Sequence, residues 1–297
     1  MEKPLFKNSN TFSKLLQLIF ATFFTSLVAI ILIRLIGVNS ENINALKISQ
    51  LILSVFTFLL PPVVCGFFWY ESPVQSYGLN KLPSLKIILL VVLLMIFISP
   101  FINLLSYLNE QMAMPSFLKG MESYFKNMED SAAQLTGQML NVTTINGLMM
   151  NLLVMAVVPA LGEELFFRGS LLNVFSENGK NKHIAVWVVA VIFSLVHFQM
   201  YGFIPRMILG ALLGYLIVWS KSLWVPIIAH FINNAMAVLV SFFGRNNVDV
   251  KAIEDIGKAS TYIYGIFSLI ISLFLFSMIY FLLNQSKKRT SFDDRTK

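Results

Sequence analysis

Two adjacent carboxylates and a guanidinium, in Glu163-Glu164-Leu165-Phe166-Phe167-Arg168, interrupt a run from Leu148 to Phe175 that otherwise reads as a membrane helix. An ionised side chain near the centre of a bilayer costs about 2.5 to 3.5 kcal/mol on insertion scales, so such groups face a protein interior or a water-filled cavity. Similar apolar surroundings hold His197, His230 and Asn234. Polar residues of this kind, spread over three apolar segments, read as one site assembled from several helices.

The spacing assigns roles. Glu164 and Arg168 stand at i,i+4 with the acid amino-terminal to the base, the better orientation for a pair on one helix face. Glu163 is then rotated by about 100° from Glu164 and has no charge partner in its own segment. Glu163 is therefore the reactive candidate and Glu164 the structural one. A carboxylate beside an imidazole suits a general base: Glu163 takes a proton from water while His197 orients that water for attack on a carbonyl. His230 and Asn234, also at i,i+4, share a face and can donate hydrogen bonds to the oxyanion of a tetrahedral intermediate.

Membrane helices must position these groups. The chain has 297 residues, of which 57% are hydrophobic and only 12% charged, and its mean hydropathy is +0.73. This composition places it outside the soluble globular class. The apolar runs predict an all-α polytopic bundle of about eight transmembrane helices: Leu15 to Ile36, Ile48 to Trp69, Leu85 to Leu105, Ile145 to Phe167, Ile184 to Met200, Pro205 to Trp219, Trp224 to Phe243 and Thr261 to Leu283. With a cytoplasmic amino terminus, alternation puts 14 of the 22 basic residues inside. Among them are Lys3, Lys7, Lys14, Lys81, Lys180, Lys182, Lys221, Arg295 and Lys297. The positive-inside bias thus favours cytoplasmic termini, and much of the net charge of +7 is topological. No stretch interleaves bases and aromatics as nucleic-acid surfaces do, so no nucleic-acid partner is expected.

The first apolar run is long for a signal-peptide core and lacks a small-residue cleavage site, so it reads as a retained helix. Cys65 is the single cysteine, which excludes an intramolecular disulfide and thiolate clusters and leaves a packing role. The chain divides into a three-helix region with a long amphipathic loop (1–144), a helical core that carries the chemistry (145–243), and a final membrane helix with a basic tail (244–297). Within the loop, Ser106 to Thr144, methionines alternate with acids in a pattern suited to amphipathic surface helices. Pro61-Pro62 and Pro159 are expected to kink their helices, and Gly162 and Gly169 to allow close helix approach.

The turn signal Glu177-Asn178-Gly179-Lys180-Asn181-Lys182 predicts an antiparallel helical hairpin. Glu163 and His197 each stand 17 residues from Lys180. Two helical arms therefore put both at one height, about 25 Å from the turn. His183, at that turn, reads as a solvated interface residue.

In order and spacing these residues resemble the CAAX protease and bacteriocin-processing family of intramembrane glutamic endopeptidases, with its pattern EExxxR, FxxxH and HxxxN or HxxxD. The matching segments are Glu163 to Arg168, Phe193-Ser194-Leu195-Val196-His197, and His230-Phe231-Ile232-Asn233-Asn234, and the likeness covers about Ile145 to Phe243. The resemblance implies that Glu163 and His197 activate water, that His230 and Asn234 assist the intermediate, and that Phe193 forms a site wall. It also implies a membrane-associated protein or peptide as substrate, processed in CAAX or bacteriocin style, with the bilayer as surroundings and a bacterial inner membrane as the place.

Rival chemistries lack their residues. None of the five aspartates, Asp130, Asp249, Asp255, Asp293 and Asp294, lies in a span, which removes an aspartyl dyad. H-E-x-x-H and G-x-S-x-G are absent. No cofactor is expected. Zinc held by Glu163, His197 and His230 ranks below the metal-free mechanism, since a catalytic zinc normally has three protein ligands and Glu163 is needed as the base. A transporter relaying protons through Glu163 and His197, or a non-catalytic binding protein, are the readings from other classes.

Overall fold

The computed structural model describes residues 4–37, 42–112, 114, 116–177, 179–245, 247 and 252–293. Asn178 of the predicted turn, Asp249, Asp294 and the basic residues Lys3, Arg295 and Lys297 lie outside them. The described residues form helices and their connections, with no strand among them. The helices longer than six residues are α1 (Thr11–Leu35), α2 (Ile43–Trp69), α3 (Leu85–Glu110), α4 (Glu122–Leu140), α5 (Ile145–Ser176), α6 (Lys182–Leu195), α7 (Phe203–Ser220), α8 (Trp224–Gly244) and α9 (Tyr262–Asp293). Seven of the segments are long and apolar enough to cross a membrane, and α6 is a shorter apolar helix of 14 residues. The protein is a multi-pass membrane helix bundle.

Short polar side chains start these helices by taking up otherwise unpaired backbone N–H groups. Asn10 accepts from Ser13 N at 2.8 Å, Asn181 from His183 N at 2.9 Å, and Thr144 from Gly147 N at 3.1 Å. The apolar side chains then divide between protein and surroundings. Phe20, Phe23 and Phe24 of α1 are exposed, as suits a lipid-facing helix, whereas Leu94, Met95, Phe167 and Val186 are buried. Lipid tails are as apolar as leucine, so close packing rather than water exclusion holds such helices together. At Gly162 a Cβ would stand 3.3 Å from Phe58 Cβ, so the glycine lets α5 and α2 approach closely.

The prolines act where the helices widen. In α2 a π-helical turn, Val55–Leu59, precedes Pro61-Pro62, and in α5 another, Leu153–Val157, precedes Pro159. Proline lacks the N–H that would bond four residues back, and its ring crowds that carbonyl. A local π turn lets the chain absorb the misfit and remain helical. A further π turn, Leu165–Leu171, begins just after Glu164.

Around the site, α5 and α6 form the hairpin, α6 packs on α7, and α3 packs against α7, α8 and α9. One apolar cluster joins α5, α6 and α7 through Phe167, Val186, Ala190, Phe193 and Ala211. A second joins α3, α7 and α8 through Leu94, Met95, Leu212, Leu216 and Ala229. The helix expected over Ile184 to Met200 is shorter in the structure, ending at Leu195, so His197 lies in the turn beyond it. The reason is local. Phe198 adopts φ 54°, left-handed backbone that an α-helix cannot continue, and the Ser194 hydroxyl donates to Phe203 O at 2.7 Å across the turn.

The amphipathic loop contains α4, with Phe125 and Met139 buried. The Asn151 side chain of α5 donates to Met139 O at 2.9 Å and ties this helix to the bundle.

Candidate active site

Glu163 and Glu164 leave α5 in different directions because successive helical residues differ by about 100°. Glu164 turns into a fully enclosed space, where Arg168 Nη1 donates to its Oε1 at 2.7 Å and both side chains have 0% exposure. Arg168 Nη2 donates to Gly210 O of α7 at 2.9 Å, and its guanidinium carbon stands 4.7 Å from the Phe193 ring centroid. The same Glu164 oxygen accepts from His230 Nδ1 at 2.7 Å, so one carboxylate fastens α5 to α8. A buried carboxylate needs paired donors of this kind, since desolvation of an unpaired charge is costly.

Glu163 faces a cavity of about 280 Å³ instead. Phe193, His197, His230 and Asn234 line that cavity with it, so the structure brings together residues that lie far apart in sequence. His230 Nε2 stands 3.9 Å from Glu163 Oε2, a gap that a water can bridge. His197 Nδ1 lies 2.8 Å from Phe193 O. A carbonyl can only accept, so Nδ1 carries the proton, and in the neutral ring Nε2 is left with the lone pair. Asn234 Oδ1 accepts from Asn233 Nδ2 at 3.1 Å, which leaves the Asn234 amide group as a donor. Phe193 packs edge-on to the rings of both His197 and His230, at centroid distances of 5.1 and 6.1 Å, and limits how either can turn.

Arg206 also lines this cavity, and sequence reasoning passed over it. Its Nη2 donates to Gln199 Oε1 at 2.7 Å and its Nη1 to Gln199 O at 3.3 Å. A lone cation one turn inside an apolar run is the signal that could have found it. From α4, Glu129 sits in its field: burial pushes the Glu129 carboxyl above the usual range, opposed by the Arg206 charge and the Tyr201 N–H. Asn109 was missed too. It donates to Met200 O at 3.1 Å and accepts from Ile204 N at 2.7 Å, which pins the turn between His197 and Arg206 to α3.

Among the described residues no three His, Cys, Asp or Glu side chains converge as a metal-binding group. The Nδ1 atoms of His197 and His230 are both engaged, with a carbonyl and a carboxylate.

The fold and cavity are those of a multi-pass membrane protein that keeps ionisable groups inside its helix bundle. Residues 145–236 match the family model described as type II CAAX prenyl endopeptidase Rce1-like. The match begins at the first residue of α5 and ends in α8, covering Glu163 to Arg168, His197, His230 and Asn234. An uncharacterized protein of Bacillus subtilis (strain 168), YpbD, is 31% identical over 90 residues, which cover 29% of this chain and 43% of that relative. The chain thus spans less than half the length of the curated relative it matches. No solved structure matches the chain.

Proposed function

We propose that the protein is an intramembrane endopeptidase that hydrolyses a peptide bond in a membrane-associated protein or peptide, with water activated by Glu163. The observation that carries this reading is the convergence of Glu163, His197, His230 and Asn234 on one cavity inside the bundle. Support also comes from the family match over the segment that holds all four.

In this mechanism Glu163 accepts a proton from water while His197 Nε2 orients it. The water oxygen bonds to the scissile carbonyl carbon, and the carbonyl oxygen becomes an oxyanion. The Asn234 amide donates to that oxyanion, as does His230 Nε2 in the imidazolium form. Collapse of the intermediate breaks the C–N bond, and Glu163 returns its proton to the leaving amine. Glu164 and Arg168 act through His230: the 2.7 Å bond to Nδ1 fixes the ring so that Nε2 faces the cavity.

The cavity walls are furnished for a polypeptide in part-polar surroundings, with Arg206, Asn233 and Ser106 beside Met95, Ile102 and Leu209. Comparison of the membrane peptidomes of cells carrying the protein and its Glu163→Gln variant tests the reading. Substrate fragments should vanish in the variant, with the uncut precursors accumulating. Identical peptidomes at equal expression would sink the proposal.

A further inference from the structure

At the opposite end of the bundle lies a second cavity, of about 400 Å³, that proteolysis does not use. Lys81, Lys182 and Lys221 line it together with the fully buried Arg168, whose charge is already met by Glu164. Among the described residues of the lining Glu177 is the one carboxylate, and it is already engaged: Lys14 Nζ donates to it at 2.6 Å and the Tyr70 hydroxyl at 3.3 Å. The lining therefore carries net positive charge.

The cleft is constructed rather than incidental. Leu223 N–H donates to Gly78 O at 3.1 Å, the Trp224 indole to Leu79 O at 2.8 Å, and the Ser222 hydroxyl to Lys81 O. These bonds lock the loop before α3 against the loop after α7. Gly78 has φ +75°, and a Cβ there would stand 2.7 Å from Lys221 O, so only glycine fits the join. Lys81 and Lys221 are thereby held beside one cleft.

Its level in the membrane follows from the helix ends. Lys81 shortly precedes α3, Lys182 opens α6, and Lys221 directly follows α7. Lysines at the ends of apolar helices reach the headgroup zone, and basic pockets between membrane helices there suit phosphate headgroups. Tyr70, Gln75 and Ser76 continue the lining into a neighbouring polar cleft that includes Trp69. Trp69 in turn borders an apolar groove of about 640 Å³, lined by Phe20, Phe24 and Phe56 of α1 and α2. An apolar groove of a size for an acyl chain thus stands beyond the Trp69 wall, with one polar cleft between it and the basic cleft.

We propose that this cleft binds the phosphate headgroup of an anionic phospholipid. The test uses the detergent-solubilised full chain with dioctanoyl phosphatidylglycerol, dioctanoyl phosphatidylcholine or inorganic phosphate, with bound molecules counted by native mass spectrometry. Phosphatidylglycerol should saturate at one tight site per chain, and the other two should bind at least tenfold more weakly. Each lysine near a lipid phosphate contributes about 1 kcal/mol, so Lys81→Gln with Lys182→Gln should weaken phosphatidylglycerol by about 30-fold. Lys86→Gln with Lys180→Gln removes equal charge from the same end outside the cleft and should change it less than threefold.

Unchanged binding in the cleft variant, or equal loss in the control pair, would mean diffuse attraction and overturn the site. Inorganic phosphate binding as tightly as the lipid would overturn the lipid assignment. Both lysines of the cleft variant are exposed, so a monodisperse, folded preparation is expected and is verified by its thermal transition.

Discussion

His230 donates through Nδ1 to Glu164 Oε1 at 2.7 Å although 66 positions separate the two residues. The bond gives the two adjacent glutamates different work. Glu164, enclosed with Arg168, holds α8 against α5 and aims an imidazole, while Glu163 is left facing the cavity.

Glu163→Gln keeps size and removes the proposed base, so hydrolysis should be lost with normal membrane insertion and thermal stability. Glu164→Gln and Arg168→Ala should instead lower folded yield, since stranding one member of a buried pair costs about 3 to 5 kcal/mol. Thermal unfolding and turnover of the purified variants separate the outcomes. A fully active Glu163→Gln beside a well-folded, inactive Glu164→Gln would reverse the two roles.

Asn234→Ala removes a donor whose bond strengthens only as the oxyanion forms. Its kcat should fall about 100- to 1,000-fold with little change in KM. An unchanged kcat with a raised KM would reduce Asn234 to a substrate contact.

On a Cys65→Ser background, Glu163→Cys paired with His197→Cys should form a disulfide or a short bismaleimide crosslink, because both residues line the same cavity. A pair displaced by half a helical turn should react poorly. If no short crosslinker joins the first pair in folded protein, the shared-site geometry is wrong.

Metal dependence is decided by elemental analysis of active protein. With Glu163 needed as the base, only His197 and His230 are left as strong ligands where a catalytic zinc normally has three, which predicts well under one zinc per chain and activity that survives a strong chelator. Stoichiometric zinc, with turnover lost to the chelator and restored by zinc, would recast Glu163 as a ligand.

Much of this molecule is legible in its residue order. Hydropathy marks the spans because the bilayer demands long apolar helices with internally satisfied backbones. The hairpin expected from the turn at Lys180 forms, and Glu163 and His197 line one cavity. The i,i+4 spacing of Glu164 and Arg168 is a local rule, and the two residues do pair, at 2.7 Å.

What the tertiary structure decided depends on azimuth and on partners distant in sequence. Nothing near Glu164 in the chain signals that its second donor comes from α8. The end of α6 at Leu195, with His197 in a turn, follows from the left-handed Phe198 and the Ser194 bond to Phe203. Arg206 lines the cavity, and Asn109 pins the turn beside it, only because α3 and α7 pack beside the hairpin. The π turns before Pro61 and Pro159 also escape a 3.6-residue reading, since such a turn rotates every later side chain by an amount that hydropathy does not record. Periodicity carries depth along a helix, whereas which way a side chain faces and what meets it there are set by packing between helices.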